Sequence, residues 1–194
     1  MTPFEKFCKL PIEPRLIGLE KSEMGVEQFC TPRGTRTIGW ENNIQYCFIR
    51  GYGETVFAVN PEGAENKYVY PLAESFKDFL RLIVACGSTT AVEQIIGWTE
   101  EEFVRFLTSA DNTPLPQQLK TLEIIRKELR ITPMEYPYAY VKAVQSAFDD
   151  SKIRFSDHYY DVLGLPLPEG HKRKAPDHLW ETTVTFTVQR KTPD

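Results

Sequence analysis

The chain lacks the features that mark membrane proteins and secreted proteins. Its longest uninterrupted apolar run covers residues 82–86, far short of the roughly 20 residues that a membrane-spanning helix needs. Its first residues show neither the basic start nor the apolar stretch of a signal peptide. Its four cysteines are well separated and form no CxxC pair, which is typical of thiols in a reducing compartment. We therefore expect a cytoplasmic protein without a membrane partner.

The charge balance and the glycine pattern exclude further classes of function. The 27 acidic and 23 basic residues give a formal net charge of −4, whereas a nucleic-acid-binding domain usually has a basic excess. No GxxxxGK[ST] motif is present, and Gly51 with Gly53 lacks the third glycine of a dinucleotide-binding loop. We interpret these two glycines as a hairpin connection. The sequence predicts no nucleic-acid partner and no cofactor.

The histidines do not have the spacing of a metal site. His158, His171 and His178 lie in the C-terminal stretch, but no HxH, HExxH or HxxxH pattern occurs, so we expect no bound metal. A catalytic nucleophile and its base must be close in the folded structure, but they need not be close in the sequence. An enzyme whose site is dispersed over residues such as His158, Asp161 and a cysteine is therefore an open alternative.

The first half of the chain contains a change of hydrophobic period. Four strand-like runs with period-2 character cover residues 37–40, 44–50, 55–60 and 67–72. A 3.6-residue period then begins at Ser75, with Phe76, Phe79 and Ile83 on one face. The second run is apolar on both faces, which predicts an interior strand covered on two sides. This order predicts an α+β fold, with an antiparallel β-sheet meander packed on one side by several α-helices and with a C-terminal strand.

Capping signals predict where the helices begin. A hydroxyl residue is followed three positions later by an acid in three pairs, Ser75/Asp78, Thr99/Glu102 and Thr132/Glu135. Thr113 and Pro114 precede the longest predicted helix, whose apolar face is Leu115, Leu119, Leu122, Ile125 and Leu129. The prolines that follow predict a brief turn and a further helix over residues 138–148.

We expect one α+β domain over residues 1–194. The composition, 41% hydrophobic and 12% aromatic, suffices for a core that buries roughly 70% of the unfolded surface. Prolines predict an irregular N-terminal arm over residues 1–34, before a sheet-and-helix core over residues 35–148. Residues 149–194 are predicted to be an extended tail, first a loop and finally a strand over residues 180–189. That strand must add to the sheet or pair with a second molecule. We expect addition to the sheet, and a homodimer is the alternative.

Aromatic and acidic residues at the strand ends form the candidate binding surface. These residues are Trp40, Glu41, Tyr52, Glu54, Glu62 and Glu65. Aromatic residues beside polar ones are typical of a protein-recognition rim. The alternative is a structural tryptophan among ordinary polar turns.

Two sequence runs, IGWENNIQYCFIRGYGETVFAV and YVYPLAESFKDFLRLIVACG, carry a resemblance to a known family. Their strand meander, the entry at residues 69–73 and the helix at residues 76–82 resemble the SUKH superfamily over residues 38–107. Its members are small α+β proteins, with relatives in a fungal cell-wall assembly regulator and many bacterial members regarded as toxin-immunity proteins. The superfamily shares no catalytic residues. The resemblance therefore implies a non-enzymatic binding module, such as an immunity protein that covers a toxin's active surface.

Three classes of function are compatible with these features. The first is this protein-binding module, whose partner is another protein such as a toxin and whose acidic rim would speed the capture of a basic face. The second is a small-molecule hydrolase, which would show a deep pocket with converging polar groups. The third is a structural or regulatory scaffold that dimerises through the final strand.

Overall fold

A computed structural model describes residues 1–21, 27–63 and 67–170. The described residues form a four-stranded antiparallel sheet and seven α-helices, which confirms the α+β class. The strands are β1 (Thr35–Glu41), β2 (Ile44–Ile49), β3 (Val56–Val59) and β4 (Val69–Ala73), in the spatial order β1-β2-β3-β4. The predicted meander is therefore confirmed. Glu65, His171, His178 and the predicted strand at residues 180–189 lie outside the described residues, and the dimer alternative that depends on this strand stays a prediction.

Seven helices surround the sheet in the part of the chain that the structure describes. They are α1 (Pro3–Phe7), α2 (Phe76–Cys86), α3 (Thr89–Gln94), α4 (Glu100–Leu107), α5 (Pro116–Leu129), α6 (Pro137–Ser146) and α7 (Asp157–Leu163). None of these described helices has the length and apolar character needed to cross a membrane.

Strand β2 is the centre of the core. All of its residues are buried. Ile44, Tyr46 and Phe48 belong to a cluster on one face of the sheet, whereas Cys47 and Ile49 belong to a second cluster on the other face. The alternating direction of strand side chains produces this division. The predicted burial of this strand on two sides is confirmed.

Helix α2 covers the first face of the sheet, as its period predicts. Phe76, Phe79 and Ile83 are at most 1% exposed. The ring of Phe79 lies 5.6 Å from that of Tyr46, and the ring of Phe76 lies 6.1 Å from that of Phe48. Fully burying one such side chain contributes about 1.5–3 kcal/mol, so this face contributes strongly to stability.

The second face is covered by the end of the segment that we predicted to be a helix over residues 138–148, and by residues beyond it that we predicted to be loop. The helix in fact ends at Ser146, before Phe148. Phe148 lies 5.4 Å from Phe57, and Tyr159 lies 6.1 Å from Tyr68. Tyr159 belongs to α7, so the loop prediction is wrong for Asp157–Leu163. A helix of two turns is too short to show a sustained hydrophobic period, and its aromatic residues, rather than a periodic face, provide the packing.

The N-terminal arm also contributes to the core. Ile17 and Leu19 are at most 1% exposed. The Glu20 and Trp40 backbones donate to each other's carbonyls at 2.8 Å in both directions, which joins the arm to β1. Gly39 permits this approach, because a Cβ there would lie only 3.0 Å from the Cα of Leu19. The arm contains the short helix α1, and its described residues are packed against the rest of the fold.

Two of the three predicted capping pairs are confirmed. The Asp78 N–H donates to Ser75 Oγ at 3.1 Å at the start of α2. At the start of α4 the Glu102 N–H donates to Thr99 Oγ1 at 3.3 Å, and the Thr99 N–H donates back to Glu102 Oε2 at 2.9 Å. Side chains thus satisfy amides that have no partner within the helix.

The predicted helix start at Thr132 is wrong. Helix α6 begins at Pro137 and is preceded by Tyr136 in a non-helical conformation. The proline ring disfavours helical geometry in the residue before it, which prevents a helix from running through this point. The intervening segment instead packs on α2, where the Met134 N–H donates to the Arg81 carbonyl at 3.0 Å.

Helix α5 begins at Pro116, later than predicted, and its apolar face is only partly buried. Leu122 is buried, but Leu115 and Leu119 are 66% and 53% exposed. The Gln118 side chain connects the start of this helix to the end of α2. It accepts from the Leu115 N–H at 3.2 Å and donates to the Gly87 carbonyl at 3.0 Å.

Candidate functional site

The meander places the predicted rim residues at opposite ends of the sheet. Trp40 and Glu41 end β1, and Glu62 follows β3, so these three lie at one end. Tyr52 and Glu54 lie in the connection between β2 and β3, at the other end. A strand of 6 residues spans about 20 Å. The five described rim residues therefore do not form one surface.

Three carboxylates come together at one end of the sheet, which we call the acidic end: Glu41, Glu62 and Glu93. Glu93 lies on α3 and is half-buried. Burial, and then the negative charges of Glu41 and Glu62, raise the pKa of its carboxyl. Among the described residues, none of the three carboxylates forms an ion pair within 4.0 Å. No local signal in the sequence indicated Glu93, because only the contact of α3 with Glu41 places it there.

The Glu41 carboxylate is held by hydroxyl groups. Thr89 Oγ1 lies 2.5 Å from Glu41 Oε2, and Thr90 Oγ1 donates to Glu41 Oε1. The Tyr46 hydroxyl donates to Glu41 Oε2 over a longer distance, 3.5 Å. Burial, and then the negative charge of Glu41, raise the pKa of the Tyr46 hydroxyl well above its usual range. A Cβ at Gly18 would collide with both Thr89 and Glu41. Glu41 is thus fixed in place at the acidic end.

Trp40 lies beside an open groove along the outer edge of β1. The groove has a volume of about 500 Å³, and its lining includes Ile38, Glu20, Lys21 and Glu27. Trp40 is half-buried, and its backbone is paired with that of Glu20. The charged side chains beside Trp40 in this groove are thus two acids, Glu20 and Glu27, and one cation, Lys21.

The other predicted rim residues have a different environment. The ring of Tyr52 lies 5.4 Å from those of Phe57 and Phe148, and its hydroxyl donates to the Asp149 carbonyl at 3.3 Å. Tyr52 thus fixes the segment that covers the second face. Glu54 is exposed beside arginine side chains.

A second groove, at the end of the sheet opposite the acidic end, was not predicted. Its cationic side chains are Arg33, Arg50, Lys152 and Arg154, and its volume is about 470 Å³. We call it the basic groove. No sequence signal indicated it, because these cations come from segments that are far apart in the chain.

The residues proposed for an enzyme do not form a nucleophile with its base in the described part of the chain. His158 and Asp161 are exposed on α7. The buried thiols are Cys30, Cys47 and Cys86. Burial raises the pKa of Cys30 to about 11 and the pKa values of Cys47 and Cys86 to about 12. All three are therefore protonated thiols at neutral pH. No group of three or more His, Cys, Asp or Glu residues among those described could hold a metal ion.

Comparisons with protein-family models, with curated proteins and with solved structures gave no match. The resemblance to the SUKH superfamily therefore stays a prediction.

Proposed function

We propose that this chain is a cytoplasmic, non-enzymatic protein-binding module of the SUKH type, whose acidic end binds a basic face of its partner. A toxin neutralised by an immunity protein is the partner class that the resemblance implies. The observation that carries the proposal is the grouping of Glu41, Glu62 and Glu93 at one end of the sheet, where none of the three forms an ion pair within 4.0 Å among the described residues. Trp40 precedes Glu41 in β1 and lies at the same end.

The electrostatics of the acidic end favour a cationic partner. Carboxylates close to one another repel, and the raised pKa of Glu93 reflects both its burial and this repulsion. A lysine or arginine from a partner would relieve the repulsion, and close charge pairs across an interface have coupling energies of about 1.5–7 kcal/mol. Trp40 adds the kind of side chain that is enriched at the centre of stable interfaces.

The proposal is tested by binding measurements with the products of the neighbouring reading frames, followed by a growth-rescue assay with any product that binds and is toxic. We expect the double variant Glu62→Gln/Glu93→Gln to lose at least about tenfold in affinity, which corresponds to about 1.4 kcal/mol. The single variant Trp40→Ala should lose a similar amount. Glu41 is left intact, because hydroxyl groups fix its position within the fold.

The matched control is the double variant Glu100→Gln/Glu101→Gln, which removes the same charge from the exposed start of α4. It should bind as the unmodified chain does. Failure of every neighbouring product to bind, or equal affinities for the acidic-end and control variants, would overturn the proposal.

A further inference from the structure

Backbone pairing, rather than sequence proximity, builds the basic groove. The Arg33 N–H donates to the Arg154 carbonyl at 2.7 Å, and the Arg50 N–H donates to the Gly34 carbonyl at 3.1 Å. Three arginines from three separate segments are thus held at adjoining backbone positions. They lie at the end of the sheet opposite the acidic end, so the groove is separate from the proposed protein-binding surface.

Four cationic side chains line the groove, in a chain whose formal net charge is −4. One acid, Glu169, is among its lining residues. Arg33 is 3.1 Å from Asp157 Oδ1, which neutralises part of its charge, and Lys152 is 3.9 Å from Asp149. The side chains of both ion pairs are partly exposed, so solvent weakens the pairs.

Two of the arginines have no acidic partner in the described part of the chain. Arg154 Nη1 donates to the Ser151 carbonyl at 2.7 Å and to the Ile153 carbonyl at 3.1 Å. These carbonyls orient the guanidinium group but do not neutralise it. Arg50 is exposed at the end of β2, and neither arginine forms an ion pair within 4.0 Å among the described residues. Their charges are available to an anion.

Aromatic side chains form one wall of the groove. Phe155 and Tyr160 are among its lining residues. The Phe155 ring is stacked on that of Tyr159, with centroids 3.9 Å apart and planes at 10°, and Tyr160 contacts Tyr159 edge-on at 5.3 Å. Since Tyr159 is buried, this wall is anchored to the core.

We infer that the basic groove binds the phosphate chain of a small polyphosphate ligand. Guanidinium groups match phosphate oxygens with paired hydrogen bonds, and a polyphosphate chain concentrates several negative charges within the span of clustered cations. A volume of about 470 Å³ falls in the range of small-molecule sites, about 300–1,000 Å³. Two sources share this chemistry, a free inorganic polyphosphate and a nucleotide whose base would contact the aromatic wall.

Isothermal titration calorimetry on the full chain tests the inference with ATP, sodium tripolyphosphate and adenosine, in EDTA at low salt. We expect ATP and tripolyphosphate to bind with a Kd below about 1 mM and adenosine not to bind. Arg50→Ala and Arg154→Ala should each weaken binding about tenfold or more. Arg50→Lys should weaken it less than Arg50→Ala, because it keeps the charge but loses the planar fork. All of these side chains are exposed, so the variants should fold, and thermal melts verify this.

The matched control is Arg105→Ala, which removes the same charge from the exposed surface of α4 and should leave binding unchanged. Tighter binding of ATP than of tripolyphosphate identifies a nucleotide as the source, whereas equal binding identifies free polyphosphate. The inference is wrong if neither anion binds, if adenosine binds as well as ATP, or if the control weakens binding as much as Arg50→Ala. Because Glu62 and Glu93 are unchanged in these variants, failure here would leave the proposed protein binding standing.

Discussion

The substitution Tyr159→Ala tests whether the C-terminal part of the described chain belongs to the core. Tyr159 is 8% exposed and packs against the rings of Phe155, Tyr68 and Phe29. Replacing a buried aromatic residue by alanine usually costs about 3–5 kcal/mol. Alanine favours the helix by a few tenths of a kcal/mol, which offsets little of this loss. We therefore expect the free energy of unfolding to fall by about 3 kcal/mol.

Equilibrium unfolding in urea measures the change, and a thermal melt provides a second readout. For a protein of this size, 1 kcal/mol corresponds to about 2–4 °C in Tm, so the melting temperature should fall by about 6–12 °C. Val162→Ala is the matched control, because Val162 lies on the same helix but is 50% exposed. It should change stability by less than about 0.5 kcal/mol. Equal effects of the two substitutions would refute the assignment of α7 to the core.

Three further predictions concern the acidic end, the thiols and the glycines. Because the pKa of the Glu93 carboxyl is raised from 4.5 in the folded protein, its ionisation destabilises the fold as the pH rises through that raised pKa. Glu93→Gln should therefore stabilise the protein at neutral pH but not below pH 4.5, and equal shifts of the urea midpoint at both pH values would contradict this. Cys8 should react with a thiol reagent in the native state and the three buried cysteines only after unfolding, so labelling of all four at one rate would be inconsistent with their burial. Gly18→Ala should be more destabilising in urea than Gly51→Ala by more than about 1 kcal/mol, because both glycines have positive φ but only Gly18 would place a Cβ against Thr89; similar losses would show that the collision is relieved.

The sheet and helix α2 were predictable because their signals are local. Strand β2 is marked by apolar residues on both of its faces. Helix α2 is marked by the capping hydroxyl of Ser75 and by an apolar face that begins at Phe76. Each of these signals lies within a short stretch of sequence. The start predicted at Thr132 failed although its capping pair is present. A capping pair adds only about 1 kcal/mol. Pro137 disfavours helical geometry at the residue before it, and the Met134 N–H is bonded to the Arg81 carbonyl of α2 instead of to a helix of its own.

The candidate site was only partly predictable from the sequence. Trp40 and Glu62 could be assigned to the same end of the sheet once a meander was predicted, and Tyr52 to the other, because successive connections alternate between the ends. Glu93 could not be assigned, because it joins the acidic end only through the packing of α3. Arg154 could not be assigned either, because its backbone pairs with that of Arg33, which lies in a distant segment of the chain.

The order of the strands has a consequence for the folding pathway. Each strand pairs with its neighbour in the chain, so the sheet can grow by short hairpin closures. The second face is different, since its contact between Arg33 and Asp157 joins residues 124 positions apart. The entropy of closing such a loop must be overcome before any contact compensates for it. The sheet and α2 therefore suit an early nucleus, while the closure by α7 belongs to a late step, in which substitutions speed unfolding more than they slow folding.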